Sequence, residues 1–204
     1  MVASRLKSLF GLSSEADNWE DRRAEPRNKV LLKGDIFPIE GYADLVVNNV
    51  SRTGLSGETD APLQVDGHLL FSLEANRFHL AVVRWVKGRK FGADMTDALA
   101  VLGLEDDTDT GFLPTHQPRA RRHDVELYGR VAIASRVARA TIRDVSRSGL
   151  CIEGPLQLPQ FQQVLVRLRD RPLIMASVQW ARGGKLGVRT AERMETLRLV
   201  YAYE

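Results

Sequence analysis

The chain has 204 residues, 44% of them hydrophobic and 27% charged, the balance of an ordinary globular protein. No apolar run approaches the length of a membrane span and the N-terminus has no signal-peptide core, so neither a membrane span nor secretion is expected; with Cys151 as the only cysteine there is no intrachain disulfide, and the cytoplasm is the expected compartment. The net charge of +3 divides unevenly, −5 over residues 1–115 and +8 over 116–204, which fits mutual attraction of the two halves as well as an acidic or nucleic-acid partner.

In chain order, residues 1–21 form a tail in which Val2, Leu6, Leu9, Phe10 and Leu12 have the spacing of a short amphipathic helix. Strands are predicted over Val30–Leu32 and Ala43–Val50, then from Leu55 after a Ser-Arg-Thr-Gly turn, then over Leu69–Leu73, Phe78–Lys87 and Phe91–Met95. A short helix is predicted over Asp97–Leu104, and the Asp/Thr/Gly/Pro composition of 106–118 marks a linker. The strand pattern then returns over Val125–Leu127, Ser135–Val145, Leu150–Glu153, Gln163–Leu168, Leu173–Trp180 and Leu186–Arg189, with a closing helix over Glu192–Tyr203.

That return is a sequence duplication at a constant offset of 95 residues. From Arg27 to Gly92, 66 positions align without a gap to Arg122–Gly187 and 20 are identical. Among them are Gly34/Gly129, Val50-Ser51-Arg52/Val145-Ser146-Arg147, Gly54/Gly149, Trp85/Trp180 and Gly92/Gly187. The expected organisation is a tail (1–21), a first domain (22–105), a linker (106–118) and a second domain (119–204). The fold class is mainly β, as two tandem small antiparallel six-stranded barrels, each followed by a short helix.

Two clusters carry chemistry. Arg22, Arg23 and Arg27 precede the first strand, and arginine presents a planar fork suited to phosphate oxygens and to flat ring systems. Twenty-two residues after Arg27, the turn Asn49-Val-Ser51-Arg52-Thr-Gly54 offers an amide, a hydroxyl, a further guanidinium and a glycine that lets a ligand approach the backbone. Taken singly, the first is a solvated basic tail and the second a hairpin turn. Their recurrence at the same separation, as Arg122 and Asp144-Val-Ser146-Arg-Ser-Gly149, makes them a pair. Trp85 and Trp180 read as core or rim packing, and the four histidines are scattered without metal-ligand spacing.

Arg23-x-x-x-Arg27 with Asn49-x-Ser51-x-x-Gly54 resembles the RxxxR and [DN]xSxxG signature of PilZ domains, small six-stranded barrels that bind cyclic di-GMP. The resemblance implies that Arg23 and Arg27 clasp guanines and phosphates, that Asn49 and Ser51 read a guanine edge, and that Gly54 allows its approach. In the second copy Asp144, Ser146 and Gly149 keep the turn and Arg122 keeps the last arginine, but Pro118 stands where Arg23 would; Arg119 and Arg121 are nearby, neither at the four-residue spacing, and one of them is the candidate substitute. The expectation is a non-enzymatic cyclic di-GMP receptor without cofactor or metal, relaying to a protein partner. The alternative is a protein-interaction adaptor with degenerate nucleotide sites. DNA is not expected as a partner, since aromatics are 7% of the chain and do not interleave with the arginines. No nucleophile–base pair or phosphate-binding glycine loop suggests an enzyme.

Overall fold

A computed structural model describes residues 27–104, 122–134, 136–168 and 172–194. The tail, the linker and most of the predicted closing helix, including Arg22, Arg23 and Arg119, lie outside the described residues. The protein is mainly β. Its strands are β1 (Asn28–Ser51), β2 (Gly54–Thr59), β3 (His68–Ser72), β4 (His79–Lys87), β5 (Lys90–Asp94), β6 (Arg122–Ala134), β7 (Ala138–Ser146), β8 (Gly149–Glu153), β9 (Gln163–Leu168), β10 (Ile174–Arg182) and β11 (Lys185–Thr190). The helix predicted over Asp97–Leu104 reduces to one turn, α1 (Ala98–Val101), entered through Asp97 in a left-handed conformation.

β1 differs most from the sequence prediction. Two separate strands, Val30–Leu32 and Ala43–Val50, are expected there; one unbroken strand of 24 residues is found. Its burial explains the change. On either side of the middle, inward and outward residues alternate, as in a half-buried strand. Between them Ile36, Phe37, Pro38 and Ile39 are all buried, the pattern of a strand covered on both faces. No Asn-Gly or Asp-Gly pair interrupts the segment to make a tight turn.

The long strand serves two closed rings. Its C-terminal half pairs with β2 and β6, and β2, β5, β4, β3 and β6 complete a closed six-stranded antiparallel barrel, the first ring. Its N-terminal half pairs with β7 and β9, and the order β7-β8-β11-β10-β9 returns to β1, giving the second ring. The strands therefore do not sort by copy. The first strand of each repeat is hydrogen-bonded into the ring built from the other repeat's remaining strands. The registers are reciprocal: Lys29 faces Asp144 and Asn49 faces Asp124, pairs that interchange under the 95-residue offset.

Ile39 pairs with Ala134, its own equivalent, so a local two-fold relation runs through the middle of the β1–β6 ladder. Around it lies a hydrophobic cluster separate from the two ring cores. It too is built from equivalents: Phe37 with Ala132, Leu70 with Leu165, and Phe78 with Leu173, whose backbones also bridge. Each ring core contains residues of the exchanged strand, Leu32 and Ile36 in the second and Val131 in the first. A partly buried ion pair between Asp35 on β1 and Arg167 on β9 joins the copies at the same crossing.

The shared glycines are explained by this geometry. A Cβ at Gly34 would stand 2.7 Å from the Arg167 carbonyl oxygen, and one at Gly129 would collide with the carbonyl of Ser72. These are the points at which each exchanged strand lies against the third strand of the other repeat's set.

Candidate functional site

The exchange decides which predicted residues meet. Arg27, at the head of β1, lies beside the turn of the second copy rather than the turn 22 residues further along its own. With Asp144, Ser146, Ser148 and Gly149 it lines an open cleft of about 300 Å³ at the end of the second ring. Leu150 and Cys151 of β8, Gln179 and Trp180 of β10, and Gly187, Val188 and Arg189 of β11 complete the lining. In the first ring Arg122 is paired in register with Ser51, so the first-copy turn faces the second copy's arginine.

The turn is held from within. Ser146 Oγ donates to the Gly149 carbonyl at 3.4 Å, and Ser51 Oγ does the same to Gly54 at 3.3 Å. Both serines are buried, so their hydroxyls serve to shape the turn. A Cβ at Gly149 would stand 2.5 Å from the Val188 carbonyl oxygen, and one at Gly54 would clash with that of Ala93. In both copies the motif glycine is thus required by the neighbouring strand. Arg52 and Arg147 are exposed at the turn tips.

β7 is irregular between Ile142 and Asp144, and β10 between Val178 and Trp180. The second irregularity sets Trp180 across β11, its indole against Gly187 where any Cβ would strike Nε1. Trp85 lies against Gly92 in the same way. Trp180 is 41% exposed and Trp85 46%, so neither is a core residue and each packs partly exposed at the rim. Trp180 thereby presents an aromatic surface beside two guanidinium groups, Arg27 and Arg189.

The electrostatics of the cleft favour an anion with hydrogen-bond donors. Arg27 and Arg189 have no ion pair among the described residues, and Asp144 has no side-chain partner there. Asp144 also acts on its neighbour: burial first, then the Asp144 carboxylate, push the Cys151 thiol above its ordinary value, while Lys185 and Arg27 oppose them. Cys151 is therefore a neutral thiol at the back of the cleft rather than a nucleophile. No cluster of metal-ligating side chains exists among the described residues.

The equivalent end of the first ring differs. Asn49 Nδ2 donates to Asp124 Oδ1 at 2.5 Å, so the amide is engaged by the exchanged strand. Arg84, the counterpart of Gln179, is held by Asp94 at 2.7 Å and Asp66 at 3.0 Å.

Sequence reasoning missed Gln179 and Arg189 and gave Trp180 only a packing role. The offset pairs them with Arg84 and Asp94, and that reversal of charge was the available signal. Comparison with protein-family models, with curated proteins and with solved structures finds no match to this chain.

Proposed function

We propose that the protein is a non-enzymatic, cytoplasmic receptor for cyclic di-GMP that relays the signal to a protein partner. The observation that carries this reading is the meeting, at one cleft, of Arg27, the last arginine of its segment, and a [DN]xSxxG turn, two elements that resemble parts of the PilZ signature. Each group has a chemical task that suits the ligand. The fork of Arg27 pairs with phosphodiester oxygens, and a carboxylate such as Asp144 accepts two hydrogen bonds from the N–H edge of guanine. Trp180, partly exposed and lining the same cleft, offers aromatic surface to a flat base. No long apolar helix occurs among the described residues, so no helical membrane span competes with this reading there.

Calorimetric titration of the full chain with cyclic di-GMP tests it. Binding by the unsubstituted protein and a weakening of roughly ten-fold or more in Arg27→Ala are expected, the cost of losing a charge-assisted pair. Absence of heat up to high micromolar ligand sinks the receptor reading. The adaptor reading would then stand, and one observation already favours it at the first ring: Asn49 is engaged by Asp124.

A further inference from the structure

We infer that the chain holds one working ligand site, assembled across its two copies at the end of the second ring, and that its counterpart in the first ring is closed by its own side chains. This rests on the receptor reading for the identity of the ligand, but the pairing of motifs rests on the strand exchange.

The charges around the two ends differ at equivalent positions. At the second ring Arg27, Lys29 and Arg189 are set against one carboxylate, Asp144. At the first ring the same positions, with that of the residue in a left-handed turn before β3, give Arg122 and Arg84 against Asp124, Asp94 and Asp66. The position of Asp66 is filled by Phe161 in the other copy, also left-handed, so a carboxylate is replaced there by an apolar ring. A doubly anionic ligand is attracted to the first set and repelled by the second.

Hydrogen bonding separates the ends in the same direction. Asp144 is without a side-chain partner among the described residues, whereas Asn49 already donates to Asp124. The guanidinium of Arg84 is occupied by two carboxylates, whereas Gln179 leaves that space uncharged and its neighbour Arg189 unpaired among the described residues. To bind at the first ring a ligand must break the contacts of Asn49 and Arg84 that already exist; at the second ring Asp144 and Arg189 carry no such side-chain contact among the described residues. Arg27 of copy one and Asp144 of the copy-two turn thus belong to a single site. Arg122, the last arginine of the divergent copy-two segment, is paired with Ser51 at the end where Asn49 is engaged by Asp124.

Titration with cyclic di-GMP of the full-length variants Asp144→Ala, Asn49→Ala and Arg189→Ala tests the assignment. The expected result is a loss of roughly ten-fold or more in affinity that follows Asp144→Ala and Arg189→Ala, as it follows Arg27→Ala, and does not follow Asn49→Ala. A loss that follows Asn49→Ala in place of Asp144→Ala, or equally with it, overturns the single composite site while leaving the receptor reading intact. No binding by the unsubstituted chain overturns both. The pairing itself is read without ligand, in a Cys151→Ser background: Lys29→Cys with Asp144→Cys closes an intramolecular disulfide, and Lys29→Cys with Asn49→Cys does not. The opposite pattern overturns the exchange and the site built on it.

Discussion

Position 79 shows how a single side chain reports on the packing of the first ring. His79 stands at the start of β4 with its ring 5.5 Å from that of Phe71, which is fully buried. Burial lowers its pKa from 6.5, with Arg77 adding to the effect and Glu74 opposing it. The imidazole is therefore neutral in the fold at a pH where it would already carry a proton in the unfolded chain. Stability is fully present above about pH 6.5 and declines as the pH falls below it, because the unfolded state then binds the extra proton. Urea midpoints measured on either side of that pH should show the decline, and His79→Gln should make it shallower. An identical decline in the variant would place its origin in other groups.

At the scale of elements, the strands were largely legible and their partners were not. Gln163–Leu168 is predicted to the residue, β3 to β5 within one position at each end, and the start of β2 within one position, because Gly, Pro and Asp breaks bound short β-branched and aromatic runs. Alternation reveals which residues face a core but not whose core it is. Leu32 has the same inward-facing pattern whether it packs on its own copy or, as found, against Ile142 and Val166 of the other. The candidate site was readable to the same extent: Arg27, Asp144, Ser146 and Gly149 are named by the motifs, but that Arg27 lines a cleft with Asp144 rather than with Asn49 is not. The duplicated glycines do carry the trace of the exchange. Gly34→Val places side-chain atoms against the Arg167 backbone and should cost roughly 1–3 kcal/mol in denaturant unfolding, as overpacking does. Gly41, in the same strand with open space around its Cβ position and no positive φ, is the comparison. Gly41→Ala should fall within about 0.5 kcal/mol of the parent or be more stable. Equal costs at both positions would mean that Gly34 is not pressed against β9.

On the scale of the whole molecule, the two rings are joined by more than the chain segment between them. They share β1, the cluster around Phe37 and Phe78, the Asp35–Arg167 pair, and the hydrogen bond from the Tyr42 hydroxyl to Gln163 Oε1 at 2.7 Å. A protease site placed within 106–118 and cut after folding should therefore leave two fragments that co-elute as one species in size-exclusion chromatography without denaturant. Fragments that separate would show that each copy completes its own barrel.

The reciprocal exchange also has a consequence for the order of events during synthesis. Neither ring can close until Arg122–Ala134 has emerged from the ribosome, since the first ring waits for that strand and the second for everything after it. The leading half of the protein is left with an open sheet edge through most of translation, a segment exposed to pairing with other nascent chains. Non-local closure of this kind slows folding, because the cost of bringing distant segments together comes before the contacts that reward it. What such an arrangement provides in return is completeness: a truncated chain lacking the second copy has no finished barrel and no finished cleft, because Arg27 and the Asp144–Gly149 turn line that cleft from opposite copies.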